Sequence, residues 1–316
     1  MTLTELKYIV AVARERHFGR AAEACFVSQP TLSVAIKKLE DELQVQIFER
    51  GGSEIGITPI GLSVVEQAQR VLEEAHAVRE VALQGKDPLS GPLRVGIIYT
   101  IGPYLLPALI RQVIHDAPSM PLILQENFTV KLLELLRQGE IDVAILADPF
   151  SDTGLVTQSL YDEPFIVAMP RAHRWSSRRQ ISSVDLKEET MLLLGSGHCF
   201  RDHVLEVCPE LSRFSQATAG IQKTFEGSSL ETIRHMVASG IGITVLPSMA
   251  VQPDSEPADS LLCYVPFEPP GPSRRVMLVW RKSFPRMPAI RAFRESIMRL
   301  TQPAVTMLPD AQPTIH

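Results

Sequence analysis

The sequence is poor in cysteine, with four in 316 residues, and so few thiols exclude a disulfide-stapled scaffold. It has no recognisable secretory signal. The apolar stretch Tyr8–Ala13 in "MTLTELKYIVAVARERHFGR" is too short, and charges flank it where a cleavage site would need small residues. No run approaches the ~20 apolar residues of a membrane span. The expected setting is therefore cytoplasmic, where thiols stay reduced. A basic excess is missing too. The net charge of −5 gives no bulk electrostatic sign of nucleic acid. No internal repeat of solenoid period is visible. What is present is a 45% hydrophobic share over a length suited to two or three domains.

Residues 3–43 predict three short helices. In the first, Leu3, Leu6, Ile9, Val10 and Ala13 share a face; the second, near Gly19–Cys25, offers Ala21, Ala22 and Ala24 for close packing. Ser28 suits an N-cap and Pro30 the first turn of the third helix. That helix has Leu32, Ile36, Leu39 and Leu43 to bury, and Gln29, Thr31, Ser33, Val34, Lys37 and Lys38 on its other side. "RGGSEIGIT" reads as a tight β-wing. A long helix follows from Pro59, with Val64, Ala68, Val71, Ala75, Val78 and Ala82 spaced 4-3-4-3-4. Such a seam suits a partner helix, although packing on its own domain would use the same residues. "GKDPLSGP" (85–92) is a linker.

Beyond it, strand-like and helical segments alternate. "LRVGII" (93–98), "PLILQE" (121–126), "IDVAIL" (141–146), "FIVAMP" (165–170), "TMLLLG" (190–195), "GITVLP" (242–247) and "RRVMLVW" (274–280) read as strands. Helices fall between several of them, and a last one runs from about Pro288 to Leu300. This pattern predicts an α/β architecture with mostly parallel sheets in two lobes. The Pro-containing tail after residue 302 reads as flexible.

Two regions carry chemistry. A third helix opened by Ser28-Gln29-Pro30-Thr31 is a helix-turn-helix candidate, whose first turn would reach base edges while lysines meet phosphate. Gln29 can pair bidentately with adenine, and Thr31 and Ser33 offer hydroxyls. Through residue 58, however, seven basic side chains face eight acidic ones, so any phosphate affinity must come from placement. A polar face of a small helical bundle would look alike.

The second region is "GSGHCFRDHVLEVC". Read as a helix, it separates Cys199 and Cys208 by roughly 14 Å and about 900° of rotation, whereas a disulfide needs Cα atoms about 4.4–6.8 Å apart. Cys199 at the helix N-terminus has a dipole that favours thiolate, with His198 and Arg201 adding positive charge and Asp202 tempering it. An inert buried thiol at Cys208 and a zinc set from His198, Cys199, His203 and Cys208 are the alternatives, the latter with no usual metal spacing. Thr100 and Thr129 each follow a strand and precede a helix, so they suit either caps or a pocket at the carboxyl ends of strands. Cys25 and Cys263 read as structural thiols.

"RHFGRAAEACFVSQPTLSVAIKKLEDELQVQIFER", followed by "ITPIG", resembles the winged helix-turn-helix of LysR-type transcriptional regulators, and the rest of the chain resembles that family in layout. The resemblance implies a DNA-binding domain over 1–58, a dimerisation helix and hinge over 59–90, and a periplasmic-binding-protein-like effector region over 91–302. Lobe I would take 91–163 with 268–302, lobe II 164–267, and 303–316 would be a flexible tail. It implies a homodimer or homotetramer on double-stranded promoter DNA, with Ser28, Gln29, Pro30, Thr31, Ser33, Lys37, Lys38 and Arg50 at the interface. The wing departs from the family, since Gly51-Gly52-Ser53-Glu54 follow Arg50 where further basic residues are usual.

"GHCFRD" with a cysteine nine residues on, "SGPLRVGIIYTIGPYLLP" and "SSLETIRHMVASGIGITVLP" are similar to the peroxide-sensing members of that family. This implies Cys199 as peroxidatic and Cys208 as resolving cysteine, with Thr100, Thr129, His198, Arg201 and Asp202 lining a hydrogen peroxide pocket. It further implies activation of antioxidant genes through RNA polymerase and resetting by a thiol reductant such as glutaredoxin. No cofactor, metal, membrane or enzymatic turnover is expected. A LysR-type regulator of a small organic inducer and a thiol peroxidase are the competing readings.

Overall fold

The computed structural model describes residues 1–49, 55–84, 89–151, 153–207, 229–251, 261–300 and 304–316. Arg50, the wing tip and Cys208 lie outside the described residues. The chain divides into an N-terminal unit, Met1–Asp87 with Arg137–Gly139, and a C-terminal one, Pro88–Leu136 with Glu140–His316.

The N-terminal unit holds α1 (Leu3–Glu15), α2 (Phe18–Ala24), α3 (Gln29–Leu43), a hairpin of β1 (Phe48–Glu49) and β2 (Gly56–Ile57), and α4 (Pro59–Gln84). A capping box starts α1: Thr2 accepts from the Glu5 amide, and the Glu5 carboxylate accepts from the Thr2 amide. Leu6, Ile9, Val12, Ala21, Ala22, Leu32, Ile36 and Leu39 form the core. Leu3, expected on the buried stripe of α1, is exposed instead, at the helix's first residue. Gly61 explains part of "ITPIG": a Cβ there would collide with the Ile47 carbonyl, so only glycine lets α4 start against the chain entering the wing.

The seam on α4 divides. Ala68 is buried, and Val64 and Val71 pack on the domain's own core, while Val78 is 70% exposed. The first half of the small-residue pattern thus serves intramolecular packing.

The C-terminal unit starts as expected, with β3 (Leu93–Ile98), α5 (Gly102–Asp116), β4 (Leu122–Asn127), α6 (Thr129–Gln138) and β5 (Val143–Ala147), where β3 lies parallel between β4 and β5. The remainder of the sheet is mixed. β9 (Ser273–Arg281) returns between β5 and β6 (Leu155–Pro170) and runs antiparallel to both. A fully apolar strand pattern does not reveal the direction of its neighbours, which is why parallel sheets were expected.

β6 is sixteen residues long and joins the lobes. Its first half pairs with β9. Its second half carries β7 (Thr244–Pro247) and β8 (Leu262–Pro266), both antiparallel. One core spans residues 93–161 and 276–297 with Met249; another takes residues from Phe165 to Phe267. The second lobe adds α7 (Cys199–Val207) and α8 (Leu230–Ala238), and α9 (Met287–Met298) packs on the first core. "TMLLLG" is not a strand: Met191 makes one isolated bridge to Ile243, and the leucines are buried without a ladder.

The tail, expected to be flexible, carries two short strands. β10 (Thr306–Met307) and β11 (Thr314–Ile315) pair with β6, and Gln158 donates to the Ala311 carbonyl. They cover a strand edge that would otherwise expose unpaired backbone groups.

Candidate functional site

Ser28 caps α3, its Oγ accepting from the Thr31 amide at 3.3 Å and sitting 2.8 Å from the Thr31 hydroxyl. Ser28 therefore holds the helix start in place. Gln29, Pro30, Thr31 and Lys37 are exposed, Ser33 is half-buried, and Val34 is 68% exposed amid these polar groups. Lys38 is not a free cation: its Nζ lies 3.2 Å from the buried Glu5 carboxylate. A carboxylate that already closes the cap of α1 thus takes one of the two lysines proposed for phosphate.

In the C-terminal unit, strand register brings the two threonines together. Ile98 pairs with Asn127 at the ends of β3 and β4, and Thr100 and Thr129 stand two residues beyond. Both are buried. Neither caps its helix: α5 has Ile101 at its N-cap with no side-chain bond, and the Thr129 hydroxyl has no partner among the described residues. Cys199 begins α7 with a free thiol packed on the first core. Thr100, Thr129, His198 and Cys199 line one cavity with Ile98, Tyr99, Asn127, Phe128 and Gly197. Its volume is about 10 Å³, room for about one water-sized molecule.

His198 is buried against Phe128, their ring centroids 4.8 Å apart and edge to face. Burial lowers its pKa, which works against the positive charge expected from its position. Arg201 and Asp202 are not in the lining. Two and three residues along α7 from Cys199, they point elsewhere: Arg201 donates to the Leu194 carbonyl at 2.9 Å, and Asp202 is exposed. His203, which spacing allowed as a metal ligand, has its Nε2 2.7 Å from the Asp148 carbonyl.

The residue that sequence reasoning missed is Arg274. Fully buried, it donates from Nη1 to the Thr100 hydroxyl at 2.7 Å and from Nη2 to the Thr100 carbonyl at 2.9 Å. Its Nε bonds Glu163 at 2.8 Å, and Glu163 also accepts from the Met249 amide. The guanidinium lies 5.2 Å from the Phe200 ring centroid. A signal was available. Arg274 and Arg275 open an apolar strand, and side chains of period two send one of the pair inward, where a charge needs a partner. Arg275 faces out, onto Asp162.

Among the described residues no helix is long and apolar enough to cross a membrane. The chain matches the family model of the bacterial regulatory helix-turn-helix protein, lysR family, over residues 3–62, and that of the LysR substrate binding domain over 86–302. It is 43% identical over 285 residues to a hydrogen peroxide-inducible genes activator of Dickeya chrysanthemi, covering 90% of this chain and 91% of that protein. Among solved structures, it resembles a cysteine-to-aspartate form of full-length OxyR from Pseudomonas aeruginosa, with TM-score 0.74, 52% identity and coverage of 97% and 98%. A peroxide-bound cysteine-to-serine form of Corynebacterium glutamicum OxyR matches with TM-score 0.62 and 33% identity, covering 94% and 92%. The chain belongs to the LysR family of DNA-binding transcription regulators, and over nearly its whole length it is similar to the OxyR-type, peroxide-inducible activators.

Proposed function

We propose that this regulator is switched on by hydrogen peroxide through a reversible Cys199–Cys208 disulfide and then activates antioxidant genes. The observation that carries the reading is the small cavity lined by Cys199, Thr100 and Thr129. Organic ligands occupy pockets of about 300–1,000 Å³, and a space of about 10 Å³ takes only a molecule near the size of water. The buried, unpartnered Thr129 hydroxyl gives such a molecule a hydrogen bond. The names of its relatives favour the same ligand.

The chemistry balances with two thiols and one peroxide. Cys199 thiolate attacks one oxygen of the peroxide; the S–O bond forms, the O–O bond breaks, and hydroxide leaves to become water on taking a proton. Thr100 accepts from Arg274, so its own O–H is left to donate to the peroxide or the leaving oxygen. Cys208 thiolate then attacks the sulfenic sulfur, forming S–S and expelling the second oxygen, also as water. Two electrons pass from the thiols to the peroxide.

α7 runs unbroken from Cys199 to Val207, so closing the disulfide requires it to unwind. Covalent closure is worth several kcal/mol, on the order of 2–4, enough to melt one short helix. The repacked lobe would then alter how subunits of a dimer or tetramer present their DNA-reading helices, and with them contact to RNA polymerase. A cytoplasmic thiol reductant such as glutaredoxin would reset the switch. A peroxidase would consume peroxide catalytically, whereas a sensor consumes one equivalent per switch.

The test is mass spectrometry with in vitro transcription, using stoichiometric peroxide. A Cys199–Cys208 linkage and a promoter response, both lost in Cys199→Ser, are expected. Two freely alkylated thiols after peroxide would overturn the reading.

A further inference from the structure

The helix that carries Cys199 has two working faces. Phe200 and Val204, four residues apart, are buried in the core of the second lobe. Cys199 and His203, also four apart, share the adjoining face. Cys199 packs on the core of the first lobe, and His203 reaches the backbone just past β5 in that lobe. α7 is thus bolted to both lobes, and His203 is the polar bolt on the first.

His203 is 6% exposed, and its Nε2 is 2.7 Å from the Asp148 carbonyl. A carbonyl only accepts, so the proton sits on Nε2 and Nδ1 is left as an acceptor. Nδ1 is buried with no partner among the described residues. Around the ring stand the Phe165 ring from β6, 6.5 Å away, Arg274 from β9, and Asp202 and Glu206 from α7 itself. The mechanism proposed above does not use His203.

We infer that His203 is a positioning residue, which pins the switch helix to the first lobe in the reduced protein and sets how readily the oxidised form refolds. This rests on the reading that Cys199 and Cys208 join. Before the thiols can meet, α7 must unwind, and the bond to Asp148 must break. Acid loosens the seat of the ring and not the bond itself. The Asp148 carbonyl favours a charged donor, but protonation would bury a charge and place an N–H at Nδ1 with nothing among the described residues to receive it. Burial, with Arg274 opposing protonation further, holds the His203 pKa below its ordinary 6.5 despite the Asp148 hydrogen bond and the carboxylates of Glu206 and Asp202. For a group depressed in the folded state, the stabilisation is complete above the unfolded value and is lost as pH falls below it. Acid stress therefore lowers the barrier to the switch.

Two variants of the full chain separate the bond from the shape of the ring. His203→Gln keeps an N–H donor and cannot titrate; His203→Leu fills the space without a donor. Amide exchange of the reduced proteins reads the pin directly. Exchange across α7 should quicken about three- to tenfold in the Leu variant, the worth of one net hydrogen bond, and stay near wild type in the Gln variant. Peroxide then reads its consequence: disulfide formation should quicken by the same factor in the Leu variant. Sulfenic acid formation at Cys199, measured with Cys208→Ser added, should change less than about twofold.

The pH arm uses the wild-type to Gln ratio of disulfide rates, in which the thiol chemistry cancels. That ratio should rise between about pH 7.5 and about pH 5.5. Equal exchange in all three proteins, or a flat ratio, overturns the inference while a disulfide in wild type leaves the proposed function standing. Absence of a disulfide in wild type removes the proposed function, and the exchange data still decide whether His203 pins the helix.

Discussion

Arg274 donates to both oxygens of Thr100, the hydroxyl at 2.7 Å and the carbonyl at 2.9 Å, and is itself held by Glu163. On the proposed mechanism this leaves the Thr100 O–H to donate toward the cavity it lines. Thr100→Val keeps the shape and removes the hydroxyl. Oxidation of Cys199 by peroxide should slow about tenfold or more, about 1.4 kcal/mol of barrier. Stability should fall by about 1.5–3 kcal/mol, since a buried guanidinium N–H loses its acceptor. Thr100→Ser should restore most of the rate. Stopped-flow oxidation and thermal unfolding measure the two effects, and an unchanged rate in a folded Val variant would remove Thr100 from the chemistry.

The long helix gives a contrast between two valines seven residues apart. Val71 packs on the core of its own domain, and Val78 is exposed. Val71→Asp should destabilise the N-terminal unit, because it sets a partly buried carboxylate against an apolar core. Val78→Asp should leave the fold intact and dissociate a dimer joined through this helix. Sedimentation with circular dichroism distinguishes these outcomes. A dimer that survives Val78→Asp places the subunit contact elsewhere.

How much of this was legible depended on range. The cap at Ser28, the stripe Leu32, Ile36, Leu39 and the order β3–α5–β4–α6–β5 follow from local rules, and the structure has them. The pairing of Thr100 with Thr129 at one level required only the register of two parallel strands. Arg274 was hidden because its partners, Thr100 and Glu163, lie over a hundred residues away along the chain. The first half of β6 was hidden by its polar alternation and by Pro164, and the tail by strands two residues long.

That tail makes a prediction of its own. Ending the chain after residue 303 would leave Val156, Thr157, Tyr161 and Asp162 of β6 without their β11 and β10 partners. A loss of several edge hydrogen bonds should destabilise the C-terminal unit by about 2–4 kcal/mol and promote aggregation through the open edge. Calorimetry and light scattering of the truncated protein provide the check. A melting temperature equal to that of the whole chain would show that the pairing is dispensable.

If α3 reads DNA as expected, its two lysines should differ in their contribution to binding. Lys37 is exposed and has no ion pair among the described residues, whereas Lys38 stands 3.2 Å from Glu5. A lysine on a phosphate releases a counterion, so Lys37→Ala should weaken binding to all sequences alike and flatten the salt dependence by about one unit of slope. Lys38 must first leave Glu5, and Lys38→Ala should therefore have a smaller effect on affinity and slope. Glu5→Gln should bring Lys38 toward the behaviour of Lys37, tightening DNA binding and steepening the salt dependence. Gln29→Ala acts on another coordinate: it should relax preference at one base pair by about 1–3 kcal/mol without changing the slope. Binding titrations over a range of salt, on a selected operator and on random DNA, measure all four. Equal slopes for Lys37→Ala and Lys38→Ala would mean that Glu5 does not withhold Lys38 from DNA.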